Sequence, residues 1–394
     1  MTSPAYDEIA AFYRRHPYPP PVEDLDAYAA RWLDGTLRRV EHHRIWPTMP
    51  YRDDHRILVA GCGTSQAAKY AVRYPNAAVT GVDVSSPGIE ANRVLADRHG
   101  LENLELHEMA IEDVDRLGEP FDLVVCTGVL HHLADPDVGL VALREVLAPQ
   151  GAVQLMVYAP YGRTGVYMIQ DYCRRVGVGT EPEDIADLVA SLRELPVGHP
   201  LSHLLRDTRD FADADALADA LLNPRDRAYS VPQLYQLVAR ADLFLTRWVR
   251  QAPYLPQCGA PATIPHASAL AALAPADQHA AVELFRGTMV RHSAILHRDE
   301  QRIGFGREAA SRFVPIRVPT VVALEERLPP DAALAVLDQA HTETDLVLFL
   351  DPAEKRVFES IDGRRTIGEI TESGTDLFER LWQHDHIVID ASSR

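Results

Sequence analysis

The chain contains 394 residues, of which 46% are hydrophobic and 24% are charged, and it carries a formal net charge of −18. This composition is typical of a globular protein, and the length exceeds that of one ordinary domain, so we expect a main domain with large additions. A chain this acidic repels phosphate backbones, which argues against nucleic acid as a partner and favours a small molecule or a peptide.

Neither membrane insertion nor secretion is indicated by the sequence. No apolar run is long enough to span a bilayer, and the first residues lack the charged-then-apolar order of a signal peptide. Four cysteines form no C-x-x-C pair, which argues against a zinc site and against a disulfide framework. We therefore expect a cytoplasmic protein with reduced thiols.

Residues 1–50 are predicted to form a helical N-terminal cap. A short helix is expected from Tyr6 to Tyr13 and a second helix from Leu25 to His42. Between them, the proline-rich segment from His16 to Pro21 must be extended, because proline excludes helix and restricts the residue before it.

The segment 55–163 alternates short apolar runs with helical patterns, which is typical of βαβ units and of a parallel sheet in an α/β fold. Its predicted strands are Ile57–Ala60, Ala78–Val82, Leu104–His107, Leu123–Cys126 and Ala152–Ala159. Residues 164–228 are predicted to be mostly helical. They are followed by the predicted helix Val231–Ala241 and the predicted strands Leu243–Val249 and Ser293–His297.

A glycine-containing loop after the first predicted strand is the sharpest motif in the sequence. The strand and loop read ILVAGCGTS, in which Gly61 and Gly63 let the backbone turn sharply and approach a ligand closely. Asp83 ends the next predicted strand, where a carboxylate can accept hydrogen bonds from both hydroxyls of a ribose. This combination predicts a site for a nucleoside-containing ligand.

Three interpretations of this loop remain open on the residues alone. A nicotinamide dehydrogenase would have a third glycine where Gln66 stands. A purely structural loop would be tight, with Asp83 merely solvated. The third candidate ligand is S-adenosylmethionine (SAM), which has no pyrophosphate and therefore needs only two glycines.

Four ordered segments carry a resemblance to a known family. ILVAGCGTS, VTGVD, FDLVVCTGVLHHLADP and LREVLAPQGAVQLMVYAPYGR resemble the motifs of class I SAM-dependent methyltransferases, closely over residues 55–165 and more loosely over 1–300. The resemblance implies a Rossmann-like doubly wound sheet in a methyltransferase domain at 51–300, a helical lid at 164–228 and SAM as the cofactor.

The resemblance also implies which residues bind SAM. Gly61 and Gly63 would pass under its methionine part together with Cys62 and Thr64, and Asp83 would hold the ribose. The remaining implied contacts flank the adenine or follow the fourth strand, and they are Val84, Ala110, Ile111, Thr127 and Gly128. In this family an acid often stands where Ala110 lies, so Glu112 or Asp113 is expected to contact the adenine amino group.

Methyl transfer is expected beside the residues that follow the fourth strand, which in this family point toward the transferring methyl group. His131 is the first candidate for a base or an orienting group, and His132 is the second. The alternative is a histidine that only packs or forms a structural hydrogen bond. The dispersed acids of a magnesium site are not evident, so no metal is expected.

Two further clusters are expected to shape the substrate pocket. Tyr158, Tyr161 and Arg163 follow the fifth strand, and Arg163 can bind a carboxylate through two hydrogen bonds. Tyr13, Arg14 and Tyr18 belong to an N-terminal segment that closes over SAM in similar enzymes. The alternatives are a packed aromatic wall for the tyrosines and a solvated helix end for Arg14.

Residues 310–394 are predicted to form a separate small α+β domain. From Leu346 onward the pattern predicts a strand, a helix, a turn, two more helices and a strand, and Thr366 with Glu369 fits a capping box. This region resembles a winged-helix module. Peptide recruitment, packing and homodimer formation are its alternative roles, because winged-helix folds serve many purposes.

Three hypotheses about function follow from these observations. The first is a methyltransferase acting on N or O of a small metabolite, such as an amino acid or an intermediate of natural-product biosynthesis. The second is a methyltransferase acting on a peptide or protein recruited by the C-terminal module. The third is a SAM-binding regulator without turnover. The missing N-P-P-Y or D-P-P-Y tetrapeptide argues against nucleic acid bases and glutamine side chains as acceptors.

Overall fold

The computed structural model describes residues 4–16, 18–202, 204, 214–372 and 375–392, with the backbone alone for 4–8 and 10. The described chain divides into two compact units. The first comprises Met1–Ala30, Asp54–Phe244 and Arg286–Arg298, and the second comprises Arg31–Asp53, Leu245–Phe285 and Asp299–Arg394. Residues 31–53 and 245–285 thus group with the C-terminal region, which is a different division from the predicted one.

A seven-stranded sheet is the largest sheet among the described residues. Its strands are β1 Arg56–Ala60, β2 Ala78–Asp83, β3 Leu104–Glu108, β4 Phe121–Thr127, β5 Leu147–Tyr158, β6 Phe244–Trp248 and β7 Arg291–His297. The strand order is β3-β2-β1-β4-β5-β7-β6, with β1 to β5 parallel and β7 antiparallel to β5. The predicted doubly wound α/β fold and its strands are confirmed.

Helices flank this sheet, so its inner strands are apolar on both faces. The residues Ile57, Leu58 and Val59 of β1 are fully buried. The α-helices that precede β5 are Pro4–Arg15, Asp26–Arg31, Gly35–Ile45, Gln66–Arg73, Ser86–His99 and Pro136–Glu145, and 3-10 helices span Ile111–Leu117 and Leu130–His132. The α-helices that the structure describes in full between β5 and β6 are Thr164–Val176, Pro182–Arg193, Ala214–Leu222 and Val231–Arg240.

The single helix predicted from Leu25 to His42 is wrong. The structure has two helices there, Asp26–Arg31 and Gly35–Ile45. Asp34 ends the intervening turn, and its carboxylate accepts the backbone N–H of Thr36 at 2.8 Å. An aspartate at this position satisfies an N–H at the start of the second helix, so the chain restarts a helix instead of continuing one.

The first helix of the chain packs on the helices that follow β5. Phe12 lies in a buried apolar cluster with residues of the first three of those helices. The hydroxyl of Tyr13 donates to Oδ1 of Asp219 at 2.9 Å. The apolar cluster and this hydrogen bond together fix the N-terminal helix against the helices after β5.

The second unit contains short strands and helices with a core of their own. Its strands are β8 Val314–Arg317, β9 Val321–Leu324, β10 Leu334–Asp338, β11 Val347–Leu350 and β12 Ile387–Asp390. Among the described residues they form a three-stranded sheet, β11-β10-β9, and a two-stranded one, β12-β8. The remaining α-helices are Ala267–Ala271, Pro275–Arg286, Arg307–Ala310, Pro352–Glu359, Ile367–Ile370 and Thr375–Gln383.

The predicted capping box at Thr366 is confirmed. The backbone N–H of Thr366 donates to Oε2 of Glu369 at 2.8 Å, and the Thr366 hydroxyl accepts from the Glu369 N–H at 3.3 Å. The predicted order of elements after Leu346 is also confirmed by β11, the three helices that follow it and β12. Among the helices that the structure describes, none has the length and apolar character needed to cross a membrane.

Candidate functional site

A cavity of about 430 Å³ lies at the carboxyl ends of the parallel strands in the first unit. It is bordered by Gly61 after β1, Asp83 at the end of β2, Thr127 at the end of β4 and Tyr158 at the end of β5. Open α/β sheets bind their ligands at this edge. The cavity therefore lies where the motif positions predict a ligand.

The loop of residues 61–65 takes a conformation that requires glycine at two positions. The backbone angle φ is 73° at Gly61 and 50° at Gly63, both in the left-handed region. A Cβ atom on Gly61 would lie 2.3 Å from Cγ2 of Val129, and one on Gly63 would lie 3.1 Å from Cδ of Pro19. The absence of side chains at these two positions lets Val129 and Pro19 pack directly against the loop.

Asp83 holds this loop through both carboxylate oxygens. Oδ2 accepts the backbone N–H of Gly63 at 2.7 Å, and Oδ1 accepts that of Ser85 at 2.9 Å. Burial raises the pKa of Asp83, and the hydrogen bonds from Ser85 and Gly63 oppose that rise. Each oxygen has a second acceptor position, so the carboxylate can also bind two ligand hydroxyls. These residues therefore fit the methionine part and the ribose of SAM.

Most of the other residues predicted to bind the cofactor border the same cavity, namely Cys62, Thr64, Val84, Ile111, Thr127 and Gly128. Ala110 is absent from the described residues that border it, although its neighbour Met109 is present. Of the two acids expected at the adenine amino group, Glu112 borders the cavity and Asp113 does not. Glu112 is therefore the acid that a ligand can reach.

The N-terminal segment closes one side of the cavity. Tyr13 and Tyr18 both border it, and the Thr64 hydroxyl donates to the carbonyl oxygen of Pro19 at 2.7 Å. Arg14 is exposed and is not among the described residues that border the cavity. Adjacent residues of a helix point in different directions, so the tyrosine faces inward and the arginine faces solvent.

The two histidines after β4 occupy different positions. His132 borders the cavity, and its Nδ1 donates to the carbonyl oxygen of Arg225, which leaves a lone pair on Nε2. His131 is buried and is not among the described residues that border the cavity. Its ring centroid lies 4.1 Å from that of Tyr158. Burial, with His132 and Arg163 nearby, holds the pKa of His131 well below its ordinary value. His132 is therefore the histidine that a ligand can reach.

Arg163 is engaged inside the protein and is not placed to bind a substrate carboxylate. Its guanidinium carbon lies 3.6 Å from the ring centroid of Tyr158, and its Nη2 lies 3.1 Å from Oδ2 of Asp226. Tyr161 is 40% exposed, and neither it nor Arg163 is among the described residues that border the cavity. Burial raises the pKa of Tyr158 well above its usual value, so its phenol keeps its proton.

Two arginines that the sequence analysis did not predict as site residues border the cavity. Arg291 lies on β7, where its Cα is paired with that of Tyr158 on β5. Arg225 follows the helix Ala214–Leu222 and holds His132 through its carbonyl oxygen. Both arginines are far in sequence from the motifs of residues 55–165. The sequence signal that could have indicated Arg291 was the predicted strand Ser293–His297, which begins just after it.

Comparison with known proteins relates part of the chain to methyltransferases. Residues 58–153 match a family described as a methyltransferase domain. The chain is 30% identical to an uncharacterized protein of Synechococcus sp. over 246 residues. The matched region covers 60% of this chain and 58% of that protein. It is 32% identical over 163 residues to the ubiquinone biosynthesis O-methyltransferase of Maricaulis maris, covering 37% and 63% of the two chains.

The structure resembles PKMT2 from Rickettsia typhi in complex with AdoHcy, with a TM-score of 0.61 and 16% identity, over 91% of this chain and 75% of that one. This likeness shows a shared fold. The chain spans about six tenths of the length of the two sequence relatives. Residues 58–153 therefore match a methyltransferase domain, and the fold of the chain is one that PKMT2 shares.

Proposed function

We propose that this protein is an enzyme that transfers the methyl group of SAM to a nitrogen or oxygen atom of a small molecule. The observation that carries the proposal is that the same cavity joins the glycine loop and Asp83 to a wall formed by Tyr13, His132 and Tyr158. SAM supplies an already activated methyl group, so the protein mainly has to hold an acceptor atom in line with it.

At the cofactor end, we assign the methionine part of SAM to the loop around Gly61 and Gly63. The ribose hydroxyls are assigned to the remaining acceptor positions of Asp83, whose oxygens already hold two backbone N–H groups. Ile111 and Glu112 border the cavity next along this edge and are assigned to the adenine. A carboxylate can accept hydrogen bonds from the hydroxyls of a neutral ribose, and an apolar side chain can pack against the aromatic adenine.

At the acceptor end, we assign Nε2 of His132 as the proton acceptor. A hydroxyl or ammonium acceptor must lose a proton for its lone pair to attack the methyl carbon, and a positioned imidazole can take that proton. The bond from Nδ1 to the carbonyl oxygen of Arg225 keeps the imidazole in the tautomer that this role requires. Tyr158 stays protonated and can donate a hydrogen bond to the acceptor.

A small acceptor is inferred from the closure of the cavity by the N-terminal segment. The hydrogen bonds Thr64 to Pro19 and Tyr13 to Asp219 hold that segment in place. A volume of about 430 Å³ falls within the range of small-molecule sites. The name of the Maricaulis maris relative, an O-methyltransferase of ubiquinone biosynthesis, supports oxygen as an acceptor atom. A metabolite or a natural-product intermediate is the substrate class we propose.

The first test is calorimetric titration of the full chain with S-adenosylhomocysteine (AdoHcy), with NAD as the control ligand. We expect micromolar binding of AdoHcy and none of NAD. Transfer of an isotopically labelled methyl group from SAM to a panel of phenols, carboxylates and amines, read by mass spectrometry, then identifies the acceptor class. Binding of NAD alone, or of neither ligand, would contradict the proposal.

A further inference from the structure

A buried cluster of ligand-type side chains lies beside the acceptor end of the cavity. His131, His132 and Asp226 each offer one ligand atom, and these atoms lie within 4.8 Å of one another. The imidazole residue His131 is 1% exposed, and the side chain of Asp226 is also 1% exposed. Within the described part of the chain, neither ring nitrogen of His131 nor Oδ1 of Asp226 has a hydrogen-bond partner. Buried polar atoms are nearly always paired, so these unpaired atoms require a partner, which is either an ion or ordered water.

Hydrogen bonds on the opposite atoms fix two of these three side chains. Nδ1 of His132 donates to the carbonyl oxygen of Arg225, so Nε2 carries the lone pair. Oδ2 of Asp226 accepts from Nη2 of Arg163 at 3.1 Å and from Nε2 of Gln170 at 2.8 Å, which leaves Oδ1 unpaired. Metal sites use such outer partners to set the tautomer and orientation of their ligands.

We propose that His131, His132 and Asp226 form a binding site for a divalent transition metal of the zinc or iron(II) type. Two imidazoles and one carboxylate are the protein ligands of catalytic zinc sites and of non-haem iron(II) sites, and they leave coordination positions open. The guanidinium of Arg163 offsets the charge of the carboxylate, which disfavours magnesium and calcium because these ions prefer several charged oxygen ligands. No metal was expected from the sequence because neither the oxygen-rich ligands of a magnesium site nor the paired cysteines of a zinc site are present; a site of two histidines and one aspartate was not considered.

The role of this metal rests on the proposed methyl transfer, whereas the site itself does not. Because His132 borders the cavity, an ion held by these three residues would lie beside its acceptor end. The ion would make an acceptor hydroxyl lose its proton to water more readily. The hydroxyl oxygen would then form the bond to the methyl carbon while the carbon–sulfur bond of SAM breaks, with AdoHcy as the leaving group. In this form the ion replaces Nε2 of His132 as the activating group.

The test titrates the full chain, freed of metal with a chelator and dialysed, with Co²⁺ followed by visible absorption and with Zn²⁺ followed by calorimetry. We expect one ion per chain, with affinity lowered by at least about 100-fold in His131→Phe and in Asp226→Asn. His131→Phe keeps a ring against Tyr158, and Asp226→Asn keeps an acceptor for Arg163. His266→Gln, at an exposed histidine, is the matched control and should bind as the native chain does.

Each result decides between the metal site and its alternatives. No binding of Co²⁺ or Zn²⁺ by the native chain, or binding that persists in both variants, overturns the proposal and leaves ordered water as the partner of the unpaired atoms. If His131→Phe does not fold, as read by circular dichroism, Asp226→Asn decides. AdoHcy affinity in the presence of chelator is measured in parallel, because its loss in the native chain contradicts the proposed function and not the metal site.

Discussion

Replacement of Asp83 by alanine separates cofactor binding from the stability of the loop. The substitution removes the acceptor of the Gly63 and Ser85 N–H groups, at a cost of about 1–3 kcal/mol for each donor left unpaired. It also removes the two acceptor positions that we assign to the ribose. A hydrogen bond to a charged group contributes about 1.5–3 kcal/mol, so AdoHcy binding should weaken by about 3–6 kcal/mol, which is at least about 100-fold in Kd.

The assay is thermal unfolding with and without AdoHcy, followed by calorimetric titration of the folded variant. At a ligand concentration of 100 times the native Kd, the native chain gains about 2.7 kcal/mol of stability. A variant that binds 100-fold more weakly gains only about 0.4 kcal/mol at that concentration. Glu102→Ala, at an exposed acid outside the cavity, is the control and should behave as the native chain does.

One result would refute this reasoning about the ribose. A folded Asp83→Ala protein whose Kd for AdoHcy stays within about threefold of the native value would show that the carboxylate holds only the loop. Asp83→Asn distinguishes the two effects further, because the amide keeps one acceptor for a backbone N–H and loses the negative charge. We expect this variant to be more stable than Asp83→Ala and still weak in AdoHcy binding.

Three further predictions concern the loop, the acceptor end and the second unit. Gly61→Ala should abolish AdoHcy binding in calorimetry, because its Cβ would lie 2.3 Å from Val129, whereas Gly35→Ala, with open space around it, should not. His132→Gln should lower the rate of methyl transfer by about 100-fold or more with little change in AdoHcy affinity, and an unchanged rate would remove its assigned role. His279 accepts the indole N–H of Trp248 at 3.1 Å, and burial lowers its pKa to about 4. As the pH falls, His279 therefore becomes protonated at a higher pH in the unfolded chain than in the folded protein. Its contribution to the free energy of unfolding falls as the pH drops below about 6.5, by up to about 2 kcal/mol between pH 7 and 5. Urea unfolding of native protein and His279→Gln checks this, since the variant should lose less stability over that range.

The arrangement of the glycine loop and Asp83, which we assign to the cofactor, was predictable because its determinants are local. An apolar strand, two glycines and an aspartate at the end of the next strand occur within one βαβ unit. Parallel pairing of β1 and β2 then places Asp83 beside the Gly63 N–H without any contribution from distant parts of the chain. Short-range hydrophobic pattern and backbone sterics therefore sufficed for this half of the site.

The acceptor end depends on contacts between residues far apart in the chain, and only the tertiary structure decided it. His131 and His132 are adjacent in sequence, and their difference arises because a 3-10 helix turns one ring toward the cavity and the other into the protein. Arg163 looked like a substrate ligand until the fold placed Asp226 at 3.1 Å from it. No local pattern encodes which buried carboxylate meets which guanidinium, because that pairing is fixed by the packing of whole helices against the sheet.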